Sequence, residues 1–198
     1  MIPSTTQTRR APATFSLFAR VLHWSMAAGI LAMLFIGVGM VASVSERHQW
    51  LVQIHKPLGL ALLALVCIRL ARRVFKGAPA LPVDLPVWQR HAALASHVLL
   101  YALMFAMPLI GWAMLSAGGY PVVAGGWQLP PIAPADAGLF SWLRGAHRYL
   151  AFLLFATVLL HLAAALFHGW VRRDGVLESM TRGRQGASGP SAQSRAVH

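Results

Sequence analysis

Three histidines in one apolar stretch are where chemistry can begin. Residues 146–171 read AHRYLAFLLFATVLLHLAAALFHGWV and carry His147, His161 and His168. The steps between them, fourteen and seven residues, return to nearly the same face of an α-helix at about 100° per residue. At about 1.5 Å per residue, His147 and His161 stand roughly 21 Å apart along the axis, most of a hydrocarbon core about 30 Å thick. One metal ion cannot bridge them, but two cofactors stacked across a membrane can use one each. Polar side chains inside a membrane are costly and mark function.

Three more histidines join them. His23 lies in RVLHW, early in an apolar run, and His55 lies in IHKPLG, at the start of another. His97 lies in SHVLLYALMF, four residues before Tyr101. His55 and His147 each open a span on the outer side. His23 comes early in a span running outward and His161 late in one running inward, so both fall in the inner half. The result is two histidine pairs at two depths.

Neutral imidazole is a good axial ligand for haem iron, and helix bundles house such groups between facing helices. Two bis-histidine b-type haems are the economical reading. Covalent c-type attachment needs C-x-x-C-H, and the chain has one cysteine, Cys67, which is expected to be a buried apolar residue. Zinc or di-iron sites need more clustered ligands, and the spans hold essentially no acid. His48 and His91 read as solvated, and His198 as inert in the tail.

The elements that must position these residues follow from hydropathy. The chain has 198 residues, 57% hydrophobic and 11% charged. Four apolar runs, about 17–41, 55–74, 92–115 and 146–171, are each long enough to span. The fold class is an all-α membrane protein, a four-transmembrane-helix bundle. The expected organisation is a disordered tail over 1–15, the membrane domain over 16–182, and a second disordered tail over 183–198. The net charge of +12 gathers in the N-terminal segment, the connection after RLARR and the C-terminal segment. By the positive-inside rule both termini are cytoplasmic, and the charge serves topology and lipid rather than nucleic acid. Arg9-Arg10 before an apolar run resembles a signal, but the run is too long for a signal core.

Smaller expectations follow. Pro57 suits a helix start, and Gly59 could let a flat ligand approach His55. Residues 77–87 form a Pro-rich inner loop. Residues 116–145 are an ordered outer cap with short helical turns, and Pro108 kinks the third span. RRDGVLESMTRGR is a short surface helix.

Over about residues 16–182 the chain resembles the bacterial cytochrome b561 family. The matching pieces are RVLHW, IHKPLG, SHVLLYALMFAMPLIGW, the outer loop with GYPV, and HRYLAFLLFATVLLH followed by LAAALFH. The resemblance implies two haem b groups on His23, His55, His147 and His161, in a multi-pass protein of the bacterial inner membrane. In superoxide-oxidising members, histidines matching His97 and His168 line a ubiquinone site. Such members take electrons from periplasmic superoxide and pass them to ubiquinone. Lys56, Arg144 and Arg148 lie on the outer side, where positive charge would draw an anion. Arg144 matches a basic position of that type. The alternative is a cytochrome b membrane anchor passing electrons for a partner dehydrogenase or hydrogenase.

Overall fold

The computed structural model describes residues 14–77, 85–124 and 126–182. Four long helices dominate: α1 (Leu17–Val41), α2 (Glu46–Lys76), α3 (Val87–Ala117) and α4 (Ala137–Leu166). All four are long and apolar enough to cross a membrane. A π-helical turn, Phe167–Arg172, continues α4, and the short α5 (Val176–Thr181) follows. Helices are the open-chain solution here because every backbone group must find its partner within the segment.

The helix starts are capped as the sequence dictates. Ser16 Oγ accepts from the Ala19 amide at the head of α1. Asp136 Oδ1 accepts from the Leu139 amide at 2.6 Å at the head of α4. Phe15 is held by its amide to the Ser179 carbonyl of α5 at 3.3 Å, and Trp24 Nε1 donates to the Met180 carbonyl at 3.1 Å. The inner end of the bundle is thus tied to α5, the surface helix expected from the sequence. The tails over 1–13 and 183–198 (with His198), and residues 78–84 of the Pro-rich loop, lie outside the described residues.

Three of the helices run further than their apolar cores. α2 starts at Glu46 rather than near 55, α3 at Val87 and α4 at Ala137. Hydropathy marks only the part in hydrocarbon, while a helix continues into the polar interface wherever its backbone bonds allow. Pro57 therefore sits inside α2, not at its start. His48 is also corrected. It is half-buried in the first turn of α2, with Nδ1 2.9 Å from the Met40 carbonyl. That carbonyl is one of the orphans every helix end leaves. His91 is exposed, as expected.

The outer cap contains a hairpin besides helical turns, the latter being the first turns of α4 from Ala137. β1 (Val122–Ala124) pairs antiparallel with β2 (Trp127–Leu129), and Gly126 takes φ 85° in the turn. Alternation of Val and Trp with small or polar residues suits a strand better than a helix. Trp112 Nε1 donates to the Pro130 carbonyl and Ser116 Oγ accepts from the Ile132 amide, which seats the cap on α3.

The core joins Leu22 and Met26 of α1 to Val66 of α2, backed by Leu63, Tyr101, Met104 and Phe105. Val66 is fully enclosed, yet its neighbour Cys67 is exposed on the outside of the bundle. One residue turns a helix by about 100°, so Cys67 faces lipid and is not a core residue. Phe35, Val98, Phe152 and Leu160 are exposed in the same way. Lipid tails are as apolar as a protein core, so such faces carry no penalty. The arginines Arg20, Arg69, Arg72, Arg73, Arg172 and Arg173 gather at one end of the bundle, which the positive-inside rule assigns to the cytoplasm.

Candidate functional site

α1 packs mainly on α2, and α3 mainly on α4. The histidine pairs do not follow these close contacts. His55 of α2 faces His147 of α4, with ring centroids 6.2 Å apart and planes at 67°. His23 of α1 faces His161 of α4, at 6.4 Å and 75°. Both pairs reach across the bundle from helices whose backbones stand apart, and α4 contributes one partner to each. The two levels read from the sequence are therefore present as side-chain pairs.

His55 and His147 are not at helix starts. Each lies about two and a half turns inside its helix, measured from Glu46 and Ala137. Nδ1 of each is buried and makes no hydrogen bond. The Met107 carbonyl lies near the His147 ring without closing such a bond to Nδ1. Four residues on, along the same face of α3, Gly111 also stands against that ring. A Cβ at Gly111 would be 3.4 Å from His147 Cε1. The sequence reading passed over this glycine and pointed to Gly59. Gly59 is buried, and a Cβ there would meet Met33 of α1 at 3.5 Å.

At the inner level His97 joins the pair. Its ring centroid is 5.5 Å from that of His161, and its Nδ1 lies 2.6 Å from the Ala93 carbonyl. Arg69 lies within electrostatic reach of His23, His97 and His161. With Tyr101, Arg72 and Arg73 it lines a small cavity of about 30 Å³. Arg20 Nε, on α1, is buried without a hydrogen bond. In the sequence these arginines read only as topology signals, because a charge at a helix end says nothing about which way it turns.

His168 stands apart from this group. Among the described residues no hydrogen bond or ring contact joins it to His97. It lies in the π-helical turn, and its Nδ1 is 2.6 Å from Asp174 Oδ2.

On the outer side Arg144 and Arg148 are exposed and Lys56 is half-buried, with the Arg148 guanidinium 5.8 Å from the centre of the Tyr149 ring.

The family model described as prokaryotic cytochrome b561 matches residues 14–183.

The chain belongs to the prokaryotic cytochrome b561 family.

Cytochrome b561 homolog 2 of Escherichia coli K12 is 32% identical over 174 residues, covering 85% of this chain and 92% of that protein. Cytochrome b561 homolog 1 of the same organism is 24% identical over 174 residues, covering 84% and 96%. The probable superoxide oxidase CybB of Yersinia pestis is 30% identical over 138 residues, covering 69% and 78%. Membership makes this a multi-pass protein of the bacterial inner membrane, with oxidoreductase activity through transmembrane electron transfer.

A cytochrome b561 implies haem b, and the paired residues fit that group. A metal–imidazole bond is about 2.0 Å and the ring centre lies about 1.1 Å behind its nitrogen, so two rings opposed on one iron have centroids about 6.2 Å apart. The observed separations are 6.2 and 6.4 Å. The 5.5 Å between His97 and His161 falls short of that distance. Unbonded Nδ1 atoms and a glycine against one ring suit a flat partner between the helices.

Proposed function

We propose that His55 with His147, and His23 with His161, hold two b haems, and that the protein moves electrons from superoxide on the periplasmic side to ubiquinone on the cytoplasmic side. The observation that carries this reading is the pair of histidine couples, at 6.2 and 6.4 Å, strung along α4 at two depths. Bound there, haem supplies one-electron oxidation and reduction.

The chain's own part is positional. The four helices hold the imidazoles in place, and Leu22, Met26 and Val66 form a packed apolar core with Tyr101 and Phe105. Arg69 brings positive charge beside the inner pair, which suits the carboxylates that a b haem carries. Lys56, Arg144 and Arg148 place positive charge around the outer pair and would raise the local concentration of a small anion. The likeness to a protein named as a probable superoxide oxidase supports superoxide as that anion. His97 and His168 lie toward the cytoplasmic end, and with Nδ1 of each bonded within the chain, Nε2 is the ring nitrogen left to face a quinone carbonyl.

The test is a reduced-minus-oxidised spectrum with a haem-to-protein ratio, followed by ubiquinone reduction in a superoxide-generating system. Two haems per chain and superoxide-dependent quinol formation are expected. A ratio of one or none overturns the ligand assignment. Two haems without quinol formation overturn the substrates, and a stoichiometric co-purifying dehydrogenase would replace superoxide as the donor.

A further inference from the structure

The end of α4 departs from regular helix where a histidine meets an acid. Phe167–Arg172 forms a π-helical turn, Arg173 takes φ 52°, and Gly175 takes φ 81°. This path folds Asp174 back under the helix. Its carboxylate is almost enclosed, with 7% of the side chain exposed against 17% for His168. Oδ2 accepts from His168 Nδ1 at 2.6 Å and from Arg172 Nε at 3.1 Å, and Oδ1 accepts from the Val176 amide at 3.2 Å. Arg172 in turn donates to Gln89 Oε1 at 3.0 Å, which fastens the turn to the start of α3. A non-α turn inside a helix commonly marks a functional position.

A carboxylate only accepts hydrogen bonds, so the proton of the neutral ring is on Nδ1. Nε2 is then the atom left to exchange a proton. We propose that Asp174 is the positioning residue for His168: it fixes the ring's tautomer and orientation so that Nε2 delivers a proton to a quinone bound at the cytoplasmic end. This rests on the reading of His168 as part of the quinone site, and deepens it. Reduction of the quinone takes two electrons and two protons. Two superoxide anions give one electron each and leave as dioxygen. One carbonyl oxygen gains its proton from His168 in its doubly protonated form, charged beside the Asp174 carboxylate: the Nε2–H bond breaks, the O–H bond forms, and the neutral ring keeps Nδ1–H on Asp174. The ring then takes a replacement proton from cytoplasmic water, and the second carbonyl oxygen is protonated from the same water.

The test uses holoprotein in detergent, reduced with dithionite freed of excess, then mixed anaerobically with ubiquinone-1 while haem re-oxidation is followed. Asp174→Ala is expected to lower the rate at saturating quinone about tenfold or more. The quinone concentration for half-maximal rate should move less than about twofold, with haem content and spectrum unchanged. Asp174→Glu should restore most of the rate. Asp174→Ala with His168→Ala together should be no slower than His168→Ala alone, as expected for residues acting as one unit. In the reduced, diamagnetic protein labelled with ¹⁵N-histidine, the Nδ1-protonated form of His168 should be lost in Asp174→Ala.

Wild-type rate in Asp174→Ala or independent losses in the double variant would overturn the proposal. A slow His168→Ala beside a fast Asp174→Ala removes the role of Asp174 and leaves the quinone reading standing. Full rate in His168→Ala removes both.

Discussion

Gly111 of α3 lies against the imidazole of His147 of α4, so close that a Cβ would stand 3.4 Å from Cε1 and 3.7 Å from Nδ1. A single methyl fits at ordinary contact distance, and a larger side chain does not. Gly111→Ala should therefore keep both haems, whereas Gly111→Leu should push His147 aside. The expected haem-to-protein ratio falls from about two to about one, the fit test for bis-histidine binding at each level. Pyridine haemochrome against protein concentration measures it.

The histidine pairs make a sharper set. His55→Ala or His147→Ala should each remove the outer haem, and the double variant should lose no more than either single one. His23→Ala or His161→Ala should do the same for the inner haem. His97→Ala should keep both, because its 5.5 Å approach to His161 is too short for two rings opposed on one iron. Loss of a haem in His97→Ala would move the inner ligand from His23 to His97.

Neutralising the outer cations should act on the donor step alone. Replacing Lys56, Arg144 and Arg148 together by Gln is expected to slow superoxide-driven quinone reduction about tenfold at low ionic strength, with a smaller difference at high salt. Re-oxidation of the dithionite-reduced protein by ubiquinone-1 should not change, since that reaction does not use the outer face.

Gly169 sits in the π-helical turn under α5. A Cβ there would come within 2.4 Å of Leu177 Cδ2 and 3.2 Å of its Cβ. Gly169→Val should lift α5 from the bundle at a cost of about 1–3 kcal/mol. Thermal melting of the apo and haem-loaded protein reads the loss, and Leu177→Ala in the same chain should recover part of it.

Asp174 gives the junction a pH dependence. Burial raises a carboxyl's pKa, but the hydrogen bond from His168, the Val176 amide and the charge of Arg172 outweigh it and hold Asp174 below the ordinary carboxylate range. A group lowered on folding stabilises the fold fully above its unfolded pKa, about 4 for Asp, and that contribution is lost as pH falls through the lower folded value. The difference in melting temperature between the wild type and Asp174→Asn should be constant from about pH 5 to 7 and close below about pH 4.

The sequence by itself determined the four spans, their orientation and the two levels of histidine. Hydropathy sees bilayer thickness, charge sees the membrane side, and helical period sees the face, so His147, His161 and His168 fall on one stripe without any structure. It placed the helix ends poorly. Pro57 and His48 lie inside α2 because a helix obeys backbone bonding rather than hydropathy where it leaves the hydrocarbon. Cys67 was misread because one helical step separates core from lipid and both are apolar. Depth along the spans was enough to pair His55 with His147 and His23 with His161; the tertiary structure added their ring separations, and the third ring, His97, that stands 5.5 Å from His161. It also decided that Gly111 rather than Gly59 lies on a paired ring, and that the chain turns back after Arg172 to set Asp174 on His168. Those are contacts between elements, fixed by how helices cross and where a π-helical turn redirects the chain, and a one-dimensional pattern carries no record of either.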